Sequence, residues 1–133
     1  MESVGDAFVT PLRFAVFAPA YALTRLPPDA EFPLWPRGGF VTVTRGPREI
    51  TVVCEEAAVP AGLETQGGYR CLEIRGEHTL DAVGVVASAT APLARAGISV
   101  FVFSVWSNDF LLVPSTHLAE AFRALFEAGH TID

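Results

Sequence analysis

Two short polar stretches of this chain carry residues typed and spaced to recognise a small zwitterion. In the first, Gly76-Glu77-His78-Thr79-Leu80-Asp81, a glycine-led loop runs into an apolar segment of helical character. A helix N-terminus presents unpaired N–H groups and the positive end of the dipole, so it favours an anion such as an α-carboxylate. Gly76 permits close backbone approach at that point. In the second stretch, Ser107-Asn108-Asp109 breaks an apolar strand run that reaches Val105-Trp106 and resumes as Phe110-Leu111-Leu112-Val113. A carboxylate at Asp109 is the partner that an α-amino group or a cationic side chain needs. A plainer reading stands beside this one: Thr79 as an N-cap, Asp81 as a complement to the dipole and Asp109 as a solvated turn residue. Trp106 either walls a pocket or fills the core between strand and helix, and strand aromatics more often do the latter.

Other chemistries find little support. His78, His117 and His130 have no partners at metal-ligand spacing, and two isolated cysteines do not complete a zinc set. Cys71 and His78 are a conceivable nucleophile pair, but Cys71 lies in an apolar strand run with no third group to orient a base. Glu55-Glu56, adjacent at a strand end, diverge rather than share a proton. The sequence contains neither a phosphate-cradling Walker loop nor a dinucleotide fingerprint. We therefore expect no catalytic residues, no metal and no cofactor.

Composition narrows the class further. Of 133 residues, 50% are hydrophobic and 18% charged, which gives a folded domain or two small ones sharing a core. The net charge of −6 opposes a phosphate-backbone partner, so no nucleic acid is expected. Arg37-Gly38-Gly39-Phe40-Val41 faintly resembles the aromatic strand of an RNA-recognition fold but lacks its second aromatic and basic surround. No apolar run approaches the ~20 residues of a membrane span. Phe14–Leu23 has the small residues of a secretory signal, yet Pro19 breaks it and no basic segment precedes it. Cys54 and Cys71 fit buried free thiols in a reducing compartment, so the expected location is cytoplasmic.

The elements that must position the two polar stretches are strands and two helices of different kind. Residues 1–11 read as a loose tail. Leu12–Phe17 and Tyr21–Leu26 are strands separated at Pro19, and Pro27–Pro36, with four prolines, is a loop. Phe40–Thr44 and Ile50–Cys54 flank a turn and form a hairpin, and Tyr69–Ile74 is a further strand. Leu80–Ala96 reads as a helix apolar nearly all round, with small residues that admit a close neighbour and Pro92 as a kink or break. Gly97–Val113 is a second hairpin. Leu118, Ala121, Phe122, Leu125 and Phe126 make an amphipathic helix ended by Gly129. Strand, helix, hairpin, helix, strand is a ferredoxin-like βαββαβ order. The expectation is an α+β fold of two such units, with antiparallel sheets and helices on one face: an abbreviated unit at 12–67 and a complete one at 68–133.

Four segments, Tyr21–Trp35, Gly38–Glu56, Tyr69–Gly76 and Ala91–Val113, resemble the small tandem ACT-domain proteins of bacteria. These are relatives of the ACT domains of aspartate kinases and of the eukaryotic cytosolic arginine sensors. The most specific elements are TRLPPDA, TVVCEE, APLARAGIS and the hairpin with Asp109 before Phe110. The resemblance implies a non-catalytic regulatory or sensory module that binds a free amino acid between ACT units. It places the ligand at Gly76, Glu77, Thr79, Leu80 and Asp81 and at Val105, Trp106, Ser107, Asn108 and Asp109. The family hairpin commonly runs Ser-Thr-Tyr-Asp-Thr-Asp-Tyr; here Ser104 and Asp109 match, and Val105–Asn108 and Phe110 differ. Edge strands and the small-residue helix point to a homodimer. The alternative is a dimerising interaction domain whose pocket is degenerate, with Trp106 filling the place of a ligand.

Overall fold

Gly97 and Gly129 end the two α-helices among the described residues by the same device. Each takes a left-handed φ, of 74° and 95°. In both cases the next N–H reaches back to the helix: Ile98 to the Leu93 carbonyl at 2.9 Å, and His130 to the Leu125 carbonyl at 3.0 Å. These are Schellman closures, which satisfy carbonyls that the last turn would otherwise leave open. The computed structural model describes residues 10–76, 78 and 80–133, so most of the 1–11 tail, with Glu77 and Thr79, lies outside the described residues.

The element order is β1 (Arg13–Leu26), β2 (Thr42–Arg45), β3 (Ile50–Glu55), β4 (Glu64–Ile74), α1 (Val85–Arg95), β5 (Phe101–Ser104), β6 (Asp109–Pro114), α2 (Leu118–Glu127) and β7 (Thr131–Ile132). The architecture is α+β, with mainly antiparallel strand pairs and few helices. Contacts divide the chain into two compact units, Ala18–Tyr69 and residues up to Phe17 with Arg70–Asp133.

In the Ala18–Tyr69 unit the strand order is β2-β3-β1-β4. β3 pairs antiparallel with β2 (Thr42 opposite Val53) and with β1 (Tyr21 opposite Glu55). One face buries Ile50, Val52 and Cys54 under Trp35, Val43 and Val59. The proline loop is held by Arg45, whose Nε and Nη2 donate to the carbonyls of Pro28 and Ala30 at 2.9 and 2.7 Å. The same guanidinium stacks over Phe32 at 4.7 Å.

In the other unit the order is β7-β1-β4-β6-β5. The start of β1 is therefore inserted between β7 and β4, and Arg13 and Phe14 pair parallel with Thr131 and Ile132. β5 and β6 form the expected antiparallel hairpin, Phe101 opposite Leu112 and Ser104 opposite Asp109. Phe14, Leu72, Ile74, Leu93, Leu111 and Leu125 are fully buried in its core. Each such side chain contributes about 1.5–3 kcal/mol relative to exposure.

Three local expectations change. First, β1 runs without interruption through Pro19. Its described pairings on one edge cover residues 13–14 and 21–26, so Pro19 falls between them, where no ladder N–H is required. Second, α1 starts at Val85, not Leu80, because Gly84 takes φ 83° and breaks the apolar run. Third, of the kink or break expected at Pro92 the break does not occur, since α1 runs through it. A proline removes the N–H that would bond the carbonyl four residues back, here that of Ser88. His130 fills the gap: its Nε2 lies 2.7 Å from the Ser88 carbonyl, and its Nδ1 accepts the Leu12 N–H at 3.0 Å. Nε2 therefore carries the proton. Ser88 Oγ donates to the Gly84 carbonyl at 2.6 Å and accepts the Thr10 N–H at 2.8 Å, which pins the first turn of α1.

Candidate functional site

The first turn of α1 and the tip of the β5–β6 hairpin enclose a cavity of about 330 Å³. That lies at the small end of the range for ligand sites, roughly 300–1,000 Å³, and suits a molecule of single amino-acid size. From α1 come Gly84, Val85, Val86 and Ala87; the N-cap is Gly84, which makes no side-chain cap bond, and the first-turn N–H groups of a helix have no partner within it. From the hairpin come Ser104 and Val105–Asp109, and from the connecting loop His78, Leu80 and Ala82.

Local hydrogen bonds fix these parts. The Val105 N–H donates to the Asn108 carbonyl at 2.9 Å and closes the hairpin tip. The His78 N–H donates to the Ser107 carbonyl at 3.1 Å, tying the loop to that tip. Asn108 Nδ2 donates to Glu73 Oε2 on β4 at 2.9 Å. Ser104 and Asp109 are cross-strand partners, and the Ser104 hydroxyl donates to Asp109 Oδ1. Two buried polar atoms of lining residues, His78 Nδ1 and Asn108 Oδ1, have no hydrogen-bond partner among the described residues.

Of the expected site residues, Leu80, Val105, Trp106, Ser107, Asn108 and Asp109 come together on this cavity. Gly76 and Asp81 are not among its lining residues, and Glu77 and Thr79 lie outside the described residues. Trp106 is 80% exposed, so it is a lip of the cavity and not a core residue. The closed tip lifts it beyond the last ladder pair, Ser104–Asp109, where no facing strand covers it. Sequence reasoning missed His78, Ala82, Ser104 and the 84–87 turn as site residues. Hairpin register opposite Asp109 would have found Ser104, and Gly84 was the signal for the true helix start.

The thiols are poor nucleophiles. Burial, with the Glu73 carboxylate adding to it, pushes the Cys71 thiol up to about 12. Cys54 is also raised, chiefly by burial, and both cysteines are free. No group of three metal-ligating side chains converges among the described residues. No described helix is long and apolar enough to cross a membrane.

Comparison with known proteins places this geometry in context. Residues 64–127 match the family model described as ACT domain, and residues 19–62 match a model described as an N-terminal domain. A crystal structure of an Agobacterium tumefaciens protein is similar at 31% identity and TM-score 0.88, covering 94% of each chain. Clostridium acetobutylicum aspartate kinase, described as an allosteric enzyme, aligns at 8% identity and TM-score 0.66, over 91% of this chain and 35% of that one. The ligand-free regulatory subunit of aspartate kinase from Thermus thermophilus aligns at 14% identity and TM-score 0.58, over 82% and 91% of the two chains. No curated protein matches the chain significantly.

Proposed function

This chain belongs to the ACT-domain family, and from that premise we propose that it is a non-catalytic regulatory module that binds a free amino acid at the α1–hairpin cavity. The observation that carries this reading is the pairing of opposite electrostatic ends across one small cavity. The N–H groups of the first α1 turn suit an α-carboxylate, and Asp109 suits an α-amino group. The likeness to a regulatory subunit supports a role without catalysis. We further propose two ferredoxin-like ACT halves, abbreviated at 12–67 and complete at 68–133, in a cytoplasmic homodimer whose second subunit helps cover the ligand.

A thermal-shift screen over the twenty amino acids tests the binding. A ligand at 100 times its Kd stabilises by about 2.7 kcal/mol. No shift with any of them at millimolar concentration would sink the proposal. Sedimentation equilibrium tests the dimer, and a monomer at all concentrations would remove it.

The second reading, a dimerising interaction domain with a degenerate pocket, draws on the exposed apolar side chains Leu80, Val83, Val105 and Trp106. It requires Trp106 to fill the ligand position. The exposure of that ring and the open volume beside Asp109 favour ligand binding instead.

A further inference from the structure

The lining of the α1–hairpin cavity has an uneven charge inventory. Among its described residues Asp109 is the only carboxylate, and no lysine or arginine is present. Glu73 is not part of the lining, and one of its oxygens already receives the Asn108 amide. The remaining walls are largely apolar, formed by Leu80, Val85, Val86, Val105 and Trp106. Within this setting Asp109 is itself half committed, because Ser104 donates to its Oδ1.

We infer that the cavity selects an α-amino acid with an uncharged, apolar side chain, and that Ser104 is a specificity-determining residue because it leaves Asp109 one uncommitted oxygen. The inference rests on the amino-acid reading of this site. A guanidinium pairs best with a carboxylate through two parallel N–H···O bonds and so needs both oxygens. An ammonium is a compact charge with three rotatable donors and needs only one. The lining offers such a group the Asp109 oxygen that Ser104 leaves unused.

Side-chain charge then has no counterpart. An acidic side chain meets no cation among the described lining residues. A cationic one competes with its own α-amino group for the same oxygen of Asp109. Burying either charge against apolar walls without a partner opposes binding. An apolar side chain meets surfaces that gain from its burial.

The test is isothermal titration of the full chain with L-leucine, L-methionine and L-phenylalanine against L-arginine, L-lysine and L-aspartate. At least one apolar amino acid should bind about tenfold or more tighter than each charged one, the ratio expected when one charge-assisted bond goes unmade. Ser104→Ala frees the second oxygen and should narrow the gap for arginine several-fold, more than for lysine. Ser104→Thr keeps the hydroxyl and should preserve the wild-type ranking. If arginine, lysine or aspartate binds as tightly as the apolar set, the inference fails while amino-acid binding stands. If no amino acid binds, the underlying reading of the site fails as well. An unchanged arginine ratio in a folded Ser104→Ala protein would remove Ser104 from the selection.

Discussion

The bond between His130 and the carbonyl freed by Pro92 can be tested by a double-mutant cycle, His130→Phe with Pro92→Ala. Phenylalanine fills much of the imidazole volume but neither accepts nor donates. In the single variant the Leu12 N–H and the Ser88 carbonyl each lose their bond to the imidazole. Each lost buried bond costs about 1–3 kcal/mol, so the expected loss is about 2–6 kcal/mol. In the Pro92→Ala background, residue 92 regains an N–H four residues after Ser88 and can bond that carbonyl within the helix. Only the Leu12 N–H is then left unmatched. His130→Phe should therefore cost about 1–3 kcal/mol less in that background than in the wild type. Urea denaturation of the four proteins, monitored by far-UV circular dichroism, gives the coupling directly. Additivity within about 0.5 kcal/mol would refute the reasoning, since independent sites behave that way. It would mean that the His130 bond to the Ser88 carbonyl does not compensate for Pro92.

Three further outcomes are expected. Asp109→Asn keeps an acceptor for Ser104 but removes the charge; it should weaken the tightest-binding amino acid by about 5–15-fold, the difference between a charged and a neutral hydrogen bond. Calorimetric titration checks this, and stability should move by less than about 0.5 kcal/mol; unchanged affinity would make Asp109 a turn residue only. Gly84→Ala forces a Cβ into the left-handed region at φ 83° and should lower stability by about 1–2 kcal/mol in chemical denaturation. Cys71 supplies a pH dependence. Its folded pKa, about 12, lies above the unfolded value near 9.0, so above pH 9 the unfolded chain binds fewer protons than the folded one. Stability from this group is intact below about pH 9 and falls toward pH 12, with a slope approaching about 1.4 kcal/mol per pH unit. Cys71→Val should flatten that part of the pH profile in urea melts, and an unaltered slope would exclude the thiol as its source.

The hairpin and the amphipathic helix were legible because their signals are local. Alternating or continuous apolar runs, a polar break and a terminal glycine fix β6 and α2 within a residue or so of their observed bounds, whereas β5 begins at Phe101 and not at Gly97. The start of α1 was not, since Leu80–Val83 is as apolar as the helix that follows and only the φ of Gly84 separates them. Trp106 carries the composition of a core residue, and its exposure depends on where the hairpin turns. The insertion of β1 beside β7 escaped because parallel partners at opposite ends of a chain leave no pattern in the intervening residues. Ser104 was legible in principle, since hairpin register sets it opposite Asp109, but its donation to the carboxylate shows only in the paired strands.

The parallel pairing of Arg13–Phe14 with Thr131–Ile132 also has a consequence for synthesis. On the ribosome, the contacts within Ala18–Tyr69 can all form once that segment has emerged. The strand order β7-β1-β4-β6-β5 cannot be completed until Thr131 and Ile132 leave the exit tunnel. Until then, one edge of the first strand waits with its backbone groups unpaired, a template for a neighbouring nascent chain. Closing a loop of nearly the whole chain also makes this the step of highest contact order, and hence a slow one. Slowed translation between β1 and β7 should therefore lengthen that wait and lower the yield of folded protein.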